Sequence, residues 1–258
     1  MATLPAIPPG IRRAEGGRAE EARAGKRALL HDATVRGLTE ERREAVRQRA
    51  LAEIPRWYRP FVHLAATTGV GLVVLAASIV ELARDPVRWT DLLVIPGVIL
   101  FASFFEWLVH KDVLHKRRRP IEVLYDRHTP MHHMIYVESD MAIRRVDELR
   151  LVLIPAAGVL GIVLAAALPA LAVARLWSAS AGWLFLLTAS LFMVGYEVLH
   201  LCYHAPTDGS IGRLPLMAKL RAHHARHHDP RLMQRYNFNV TLPIFDWIMG
   251  TTAPRTGR

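Results

Sequence analysis

Histidine dominates the chemistry available to this chain. Of its 13 histidines, 11 lie between His110 and His228, and the chain holds a single cysteine, Cys202. The histidines fall into four groups: HKDVLH (His110, His115), HTPMHH (His128, His132, His133), HLCYH (His200, His204) and LRAHHARHH (His223, His224, His227, His228). Neutral imidazole is a metal ligand. One cysteine excludes an intramolecular disulfide and any multi-thiolate zinc or iron–sulfur centre.

The spacings read as geometry. Residues four apart share a helix face, so His200/His204, His128/His132 and His224/His228 each present two imidazoles together, and His224/His227 are neighbours at three. Adjacent pairs such as His132–His133 and His227–His228 diverge by about 100° and can serve two centres. His110 and His115, five apart, diverge by about 140° on an ideal helix, so they straddle a site or the helix loosens there. Ten imidazoles exceed what one metal can use, so two metals sharing His110, His115, His128, His132, His133, His200, His204, His224, His227 and His228 are expected. Imidazole alone suits iron, zinc, copper and nickel. His223 is an extra, with a supporting or surface role. Glu106, four before His110, and Glu197, three before His200, could each hold a ligand's free N–H; salt bridges to Lys111 or Arg117 are the plainer alternative. Asp126, Asp140 and Asp229 are further acidic candidates, and Asp208-Gly209 marks a turn.

The groups are positioned by apolar runs. Phe61–Leu82, Asp91–His110, Leu149–Pro169 and Ser180–His200 approach or reach the twenty or so helical residues that span ~30 Å of hydrocarbon. Runs without a charged face do not suit soluble amphipathic helices. Every histidine group lies at or just beyond one end of a run. Lysine and arginine give the orientation: 13 in residues 1–60, eight in 111–148 and eight in 201–258, against Arg84, Arg88 and Arg175 in the other connections. Four spans with both termini, the middle loop and the histidines on the cytoplasmic side satisfy the positive-inside rule. The net charge of +10 then needs no nucleic acid as partner, and no nucleic-acid module is present.

The expected fold is all-α: an integral-membrane, four-helix bundle with a cytoplasmic, histidine-rich metal-binding cap. Residues 1–60 read as an arm and interfacial helix, 61–254 as the membrane domain and 255–258 as a tail. Pro5, Pro8, Pro9 and Gly10 stand where a signal peptide's apolar region would lie. Thr39 opens a helix that stops at Pro55, with Trp57 and Tyr58 as interfacial anchors. Ile211–Leu220 reads as a helix lying on the inner leaflet.

Taken together, the four boxes and the ending NVTLPIFDWIMGT, with Asp246, Gly250 and Thr251, resemble the fatty acid hydroxylase superfamily over about Leu92–Thr251. That superfamily includes sterol desaturases and sphingolipid and fatty-acyl hydroxylases. The second box departs from its usual His-x-x-His-His by one inserted residue, which makes His128 the weakest expected ligand. The resemblance implies a non-haem di-iron oxidoreductase with two Fe²⁺ ions and O₂ as co-substrate, zinc being a possible substitute. It would attack an unactivated C–H bond of an apolar lipid, such as a fatty-acyl or sphingolipid chain, giving an alcohol or an alkene. The chain holds no haem- or flavin-binding pattern, so a separate electron donor is expected: a ferredoxin, or a cytochrome b5-like protein with its reductase. A carotenoid or sterol hydroxylase or desaturase would share the boxes. A non-enzymatic membrane metal-binding protein is the rival from another class, but transport sites normally lie near the bilayer midplane.

Overall fold

The computed structural model describes residues 39–254. These residues are helical, with one isolated antiparallel bridge between Val137 and Asp140. In chain order the helices are α1 (Glu40–Ala52), α2 (Pro60–Leu82), α3 (Val94–Val109), α4 (Glu122–Arg127), α5 (His133–Ile135), α6 (Leu149–Val152), α7 (Ala156–Leu176), α8 (Ala179–Tyr203), α9 (Pro215–His227) and α10 (Ile244–Ile248). Four stretches are long and apolar enough to cross a membrane: Pro60–Leu82, Trp89–Leu114, Val146–Leu176 and Ala179–Tyr203.

These spans are packed inside out relative to a soluble bundle. Phe61, Val73, Leu164, Leu168 and Leu191 are exposed, while Thr67, Gly71, Ser78, Ser103, Ala170, Ala181 and Gly182 are buried. Lipid removes the hydrophobic drive between helices, so small residues that let backbones approach take the interfaces. Helix α8 is the hub, packing against α2, α3 and α7. A Cβ at Gly182 would lie 2.5 Å from Ala174 Cβ and 2.9 Å from the Ala170 carbonyl. Backbone cannot yield there, so Gly182→Ala should cost ~1–3 kcal/mol by overpacking the α7–α8 crossing. A thermal midpoint in detergent equal to that of the parent would refute this.

The third span departs from expectation. The run Leu149–Pro169 is split: α6 ends at Val152 and α7 starts at Ala156, then continues past Pro169 to Leu176. Pro155 causes the break, because the residue before a proline is pushed out of the helical region. Unwound backbone at membrane depth must find partners within the protein. Ile154 does: its N–H lies 3.4 Å from both Glu197 oxygens, and its carbonyl accepts from Thr67 Oγ1 at 3.1 Å and His63 Nε2 at 3.3 Å. The Tyr58 hydroxyl in turn donates to His63 Nδ1 at 2.8 Å.

Thr39 caps α1, accepting from Arg42 N at 3.3 Å, and the helix ends at Ala52, ahead of Pro55. Arg43, Arg47 and Ala50 are buried against the segment that follows α5. Arg43 bonds Asp140 at 2.6 Å and Arg47 bonds Glu148 at 2.5 Å. A further expectation is corrected at Ile211–Leu220, where Ile211–Arg213 is turn and the helix begins at Pro215, then runs to His227. Proline at the first helical position loses no hydrogen bond, which fixes that start. The arm expected over residues 1–35 and the 255–258 tail lie outside the described residues.

Candidate metal centre

Two wide turns build the centre. Helix α3 passes into a π-turn over His110–Leu114, closed by His115 N–H to the His110 carbonyl at 3.2 Å. A turn that bonds i to i+5 holds one residue more than an α-turn, so side chains five apart become neighbours. The His110 and His115 rings accordingly stack at 5.1 Å and 20° rather than diverging. A second π-turn covers His128–His132, closed from His133 N–H to the His128 carbonyl. It absorbs the inserted residue of HTPMHH. The partner of His128 is therefore His133, with Nε2 atoms 3.1 Å apart, and not His132.

The ligand-capable atoms of His110, His115, His128, His133 and His227 lie within 4.8 Å of one another, as do those of His132, His200, His204 and His224. The adjacent pair His132–His133 is divided between the two groups, as the 100° offset requires. His228 lies between them: its Nε2 is 3.1 Å from His224 Nε2, and its ring stacks on His133 at 4.2 Å. Nine of these ten histidines are buried, and His128 is partly so. In the cap, burial holds the imidazoles of His115, His128, His133, His204, His224, His227 and His228 well below the usual histidine range, and pushes His132 down to about 4. They are neutral at pH 7, the form that binds metal.

The second ring nitrogens decide which atom faces inward. Nδ1 donates to backbone carbonyls in His110 (Phe238, 2.5 Å), His132 (Leu151, 3.0 Å), His204 (Met141, 2.7 Å), His227 (Tyr236, 2.8 Å) and His228 (Tyr136, 2.6 Å). His115 Nδ1 lies 3.1 Å from Thr129 Oγ1, whose proton goes to the Leu114 carbonyl. A carbonyl only accepts, so these rings carry their proton on Nδ1 and a lone pair on Nε2. Yet His115 Nε2 and His227 Nε2 face each other at 3.0 Å, and the buried Nε2 atoms of His132 and His200 have no partner. Facing lone pairs repel, and a cation between them removes the conflict. Metal–imidazole bonds of ~2.1 Å place neighbouring nitrogens ~3.0–3.4 Å apart, which the spacings match.

Neither carboxylate expected beside the ligands touches a histidine or a lysine. Glu106 instead anchors the C-terminal return segment, accepting from Val240 N (2.8 Å), Thr241 N (3.0 Å), Thr241 Oγ1 (2.7 Å) and Asn239 Nδ2 (3.1 Å). Glu197 serves the break at Ile154. Asp246 holds the same return segment through Phe238 N and Asn239 N, both at 2.9 Å, and Thr251 Oγ1 at 2.7 Å. His223 belongs to neither group and lies 3.3 Å from Asp246. Asp126, Asp140 and Asp229 pair with Arg117, Arg43 and Arg231. The segment pinned by Glu106 and Asp246 carries the Phe238 carbonyl that orients His110, and the Tyr236 carbonyl lies just before it. Backbone acceptors have no sequence signature. The acidic residues that place them do, and Asp246 was legible only as part of the closing motif.

A family model described as "Fatty acid hydroxylase" matches residues 95–251, more than half of the chain. The chain belongs to the fatty acid hydroxylase family. No curated protein matches it, and no solved structure does. The matched region of this fatty acid hydroxylase family member contains all ten histidines and the return segment, while α1 and α2 lie outside it.

Proposed function

We propose that the protein is an O₂-dependent di-iron hydroxylase of a membrane lipid chain, with desaturation as the branch taken when the substrate radical is held differently. The observation that carries this reading is the pair of buried, neutral imidazole groups at one end of an apolar bundle. His110, His115, His128, His133 and His227 would hold one iron and His132, His200, His204 and His224 the other, with His228 between them. Zinc sites fill with four ligands when structural and usually three when catalytic, and a five-imidazole group exceeds both, which favours iron. The bound metals would supply O₂ reduction and hydrogen removal from an unactivated carbon. The chain's part is to orient and exclude. Carbonyls lock the Nδ1–H of His110, His132, His204, His227 and His228 so that Nε2 faces inward, and burial keeps the rings neutral and water out. His110, His200 and His204 lie at the ends of α3 and α8, so a lipid tail could reach them without leaving an apolar environment. Purified protein given ¹⁸O₂, ferrous iron and an electron donor should place ¹⁸O in a lipid product. Label from H₂¹⁸O, or turnover without oxygen, would mean that the metals activate water instead. A carotenoid or sterol substrate would pass the same test, and product mass separates it from an acyl chain.

Electrons would come from a separate ferredoxin or cytochrome b5-like protein. The lysine and arginine distribution supports a cytoplasmic metal site. A cysteine placed at the exposed Ser139 should therefore react with an impermeant maleimide only after cells are opened. Labelling of intact cells would overturn the orientation.

A further inference from the structure

Where α1 hands over to α2, the chain forms a cavity of about 220 Å³ lined by Leu51, Ile54, Pro55, Arg56, Tyr58, Arg145 and Asp147. Its position is fixed by its neighbours. Tyr58 lies two residues before the first span, and Val146 opens the third. Trp57 and Val146 beside it are 75% and 53% exposed, the apolar rim of a surface that meets a bilayer. The cavity is thus at the membrane boundary, on the face of the bundle that carries the histidines.

Its charge is unbalanced. Arg56 and Arg145 line it, and the Arg150 guanidinium lies over the Tyr58 ring at 5.5 Å. Arg127, partly buried behind, donates to the Arg150 carbonyl at 2.9 Å. Against these four cations stands Asp147, held by Arg145 at 3.0 Å. Among the described residues, Arg56, Arg127 and Arg150 have no carboxylate partner. Asp147 answers only one of the two guanidinium groups that line the cavity, and the planar donors of such groups suit phosphate oxygens.

We propose that this cavity binds the phosphate headgroup of an anionic membrane lipid, its acyl chains lying along the exposed apolar rim. Phosphate alone would satisfy the arginines, but the flanking Trp57 and Val146 favour a ligand with a tail. Along the chain, the arginines near the site adjoin the metal groups: Arg127 precedes His128, and Leu151, next to Arg150, supplies the carbonyl that orients His132.

The test uses the full chain in neutral detergent, titrated with phosphatidylglycerol, phosphatidylcholine or inorganic phosphate while the thermal midpoint is followed. Phosphatidylglycerol should give a saturable rise that phosphatidylcholine does not. Arg56→Gln with Arg145→Gln, both exposed positions that leave the core untouched, should reduce apparent affinity at least tenfold. Native mass spectrometry should show one retained phosphatidylglycerol in the parent and none in the variant. Equal responses to the two lipids, or an unchanged response in the variant, would overturn the proposal. A saturable rise with inorganic phosphate equal to that with phosphatidylglycerol would make it a free-phosphate site, and would overturn the lipid assignment. None of these outcomes depends on turnover, so they stand or fall separately from the proposed reaction.

Discussion

Protein purified without oxygen should carry two metal ions per chain, and His115→Ala and His200→Ala should each reduce that to about one while abolishing turnover. The two substitutions act on different groups. His115 is one of five converging imidazoles and His200 one of four, so each removes a donor from one centre and leaves the other's set complete. Altering only the hydrogen-bond partner of a ligand costs ~10–100-fold in affinity or activity, and removing the ligand should cost more. The position of His228 between the groups leads to a different result: His228→Ala should weaken both metals together. His31→Ala, outside the described residues, should change neither metal content nor activity. Elemental analysis finding one metal or none in the active parent would refute the dinuclear assignment.

The largest effect on stability should come from Arg47→Met. Arg47 and Glu148 are 2% and 0% exposed and meet at 2.5 Å, with the Tyr136 hydroxyl adding a 2.8 Å bond to the same carboxylate oxygen. Removing one member of a buried pair leaves an uncompensated charge and costs ~3–5 kcal/mol. For a chain of this size that is about 6–20 °C in thermal midpoint. Arg47→Met combined with Glu148→Leu removes both charges and should recover most of the loss. A midpoint within 2 °C of the parent for the single variant, by this ~3–5 kcal/mol reckoning, would show that the pair contributes little. Tyr136 also accepts from His228 through its carbonyl, so the single variant should lose metal more readily than Gly182→Ala does.

Much of this was legible in the residues. Long apolar runs give spans whatever their partners, and His132–His133 can only point to two places. Other features depend on choices that sequence leaves open. Five-residue spacing is ambiguous between a divergent α-turn and a convergent π-turn, and only the packed ends of α3 and α4 settle it for His110/His115 and His128/His133. Nothing local marks Arg43 and Arg47 as buried, because their partners, Asp140 and Glu148, lie about a hundred residues away. Glu106 and Glu197 stand close to histidines along the chain, but their hydrogen bonds go to groups brought in from elsewhere, residues 239–241 and Ile154.

Five of the ten imidazoles are aimed by main-chain carbonyls, and this shapes how the centre can vary over time. Any residue at 136, 141, 151, 236 or 238 still offers a carbonyl, so side-chain drift at those positions leaves the rings aligned. A single-residue insertion or deletion between α5 and α6 displaces the acceptors at 136 and 141, and one between α9 and α10 displaces those at 236 and 238. The centre should therefore tolerate substitution around its ligands far better than changes in loop length, and variation in such chains should accumulate as exchanges of residues at constant spacing.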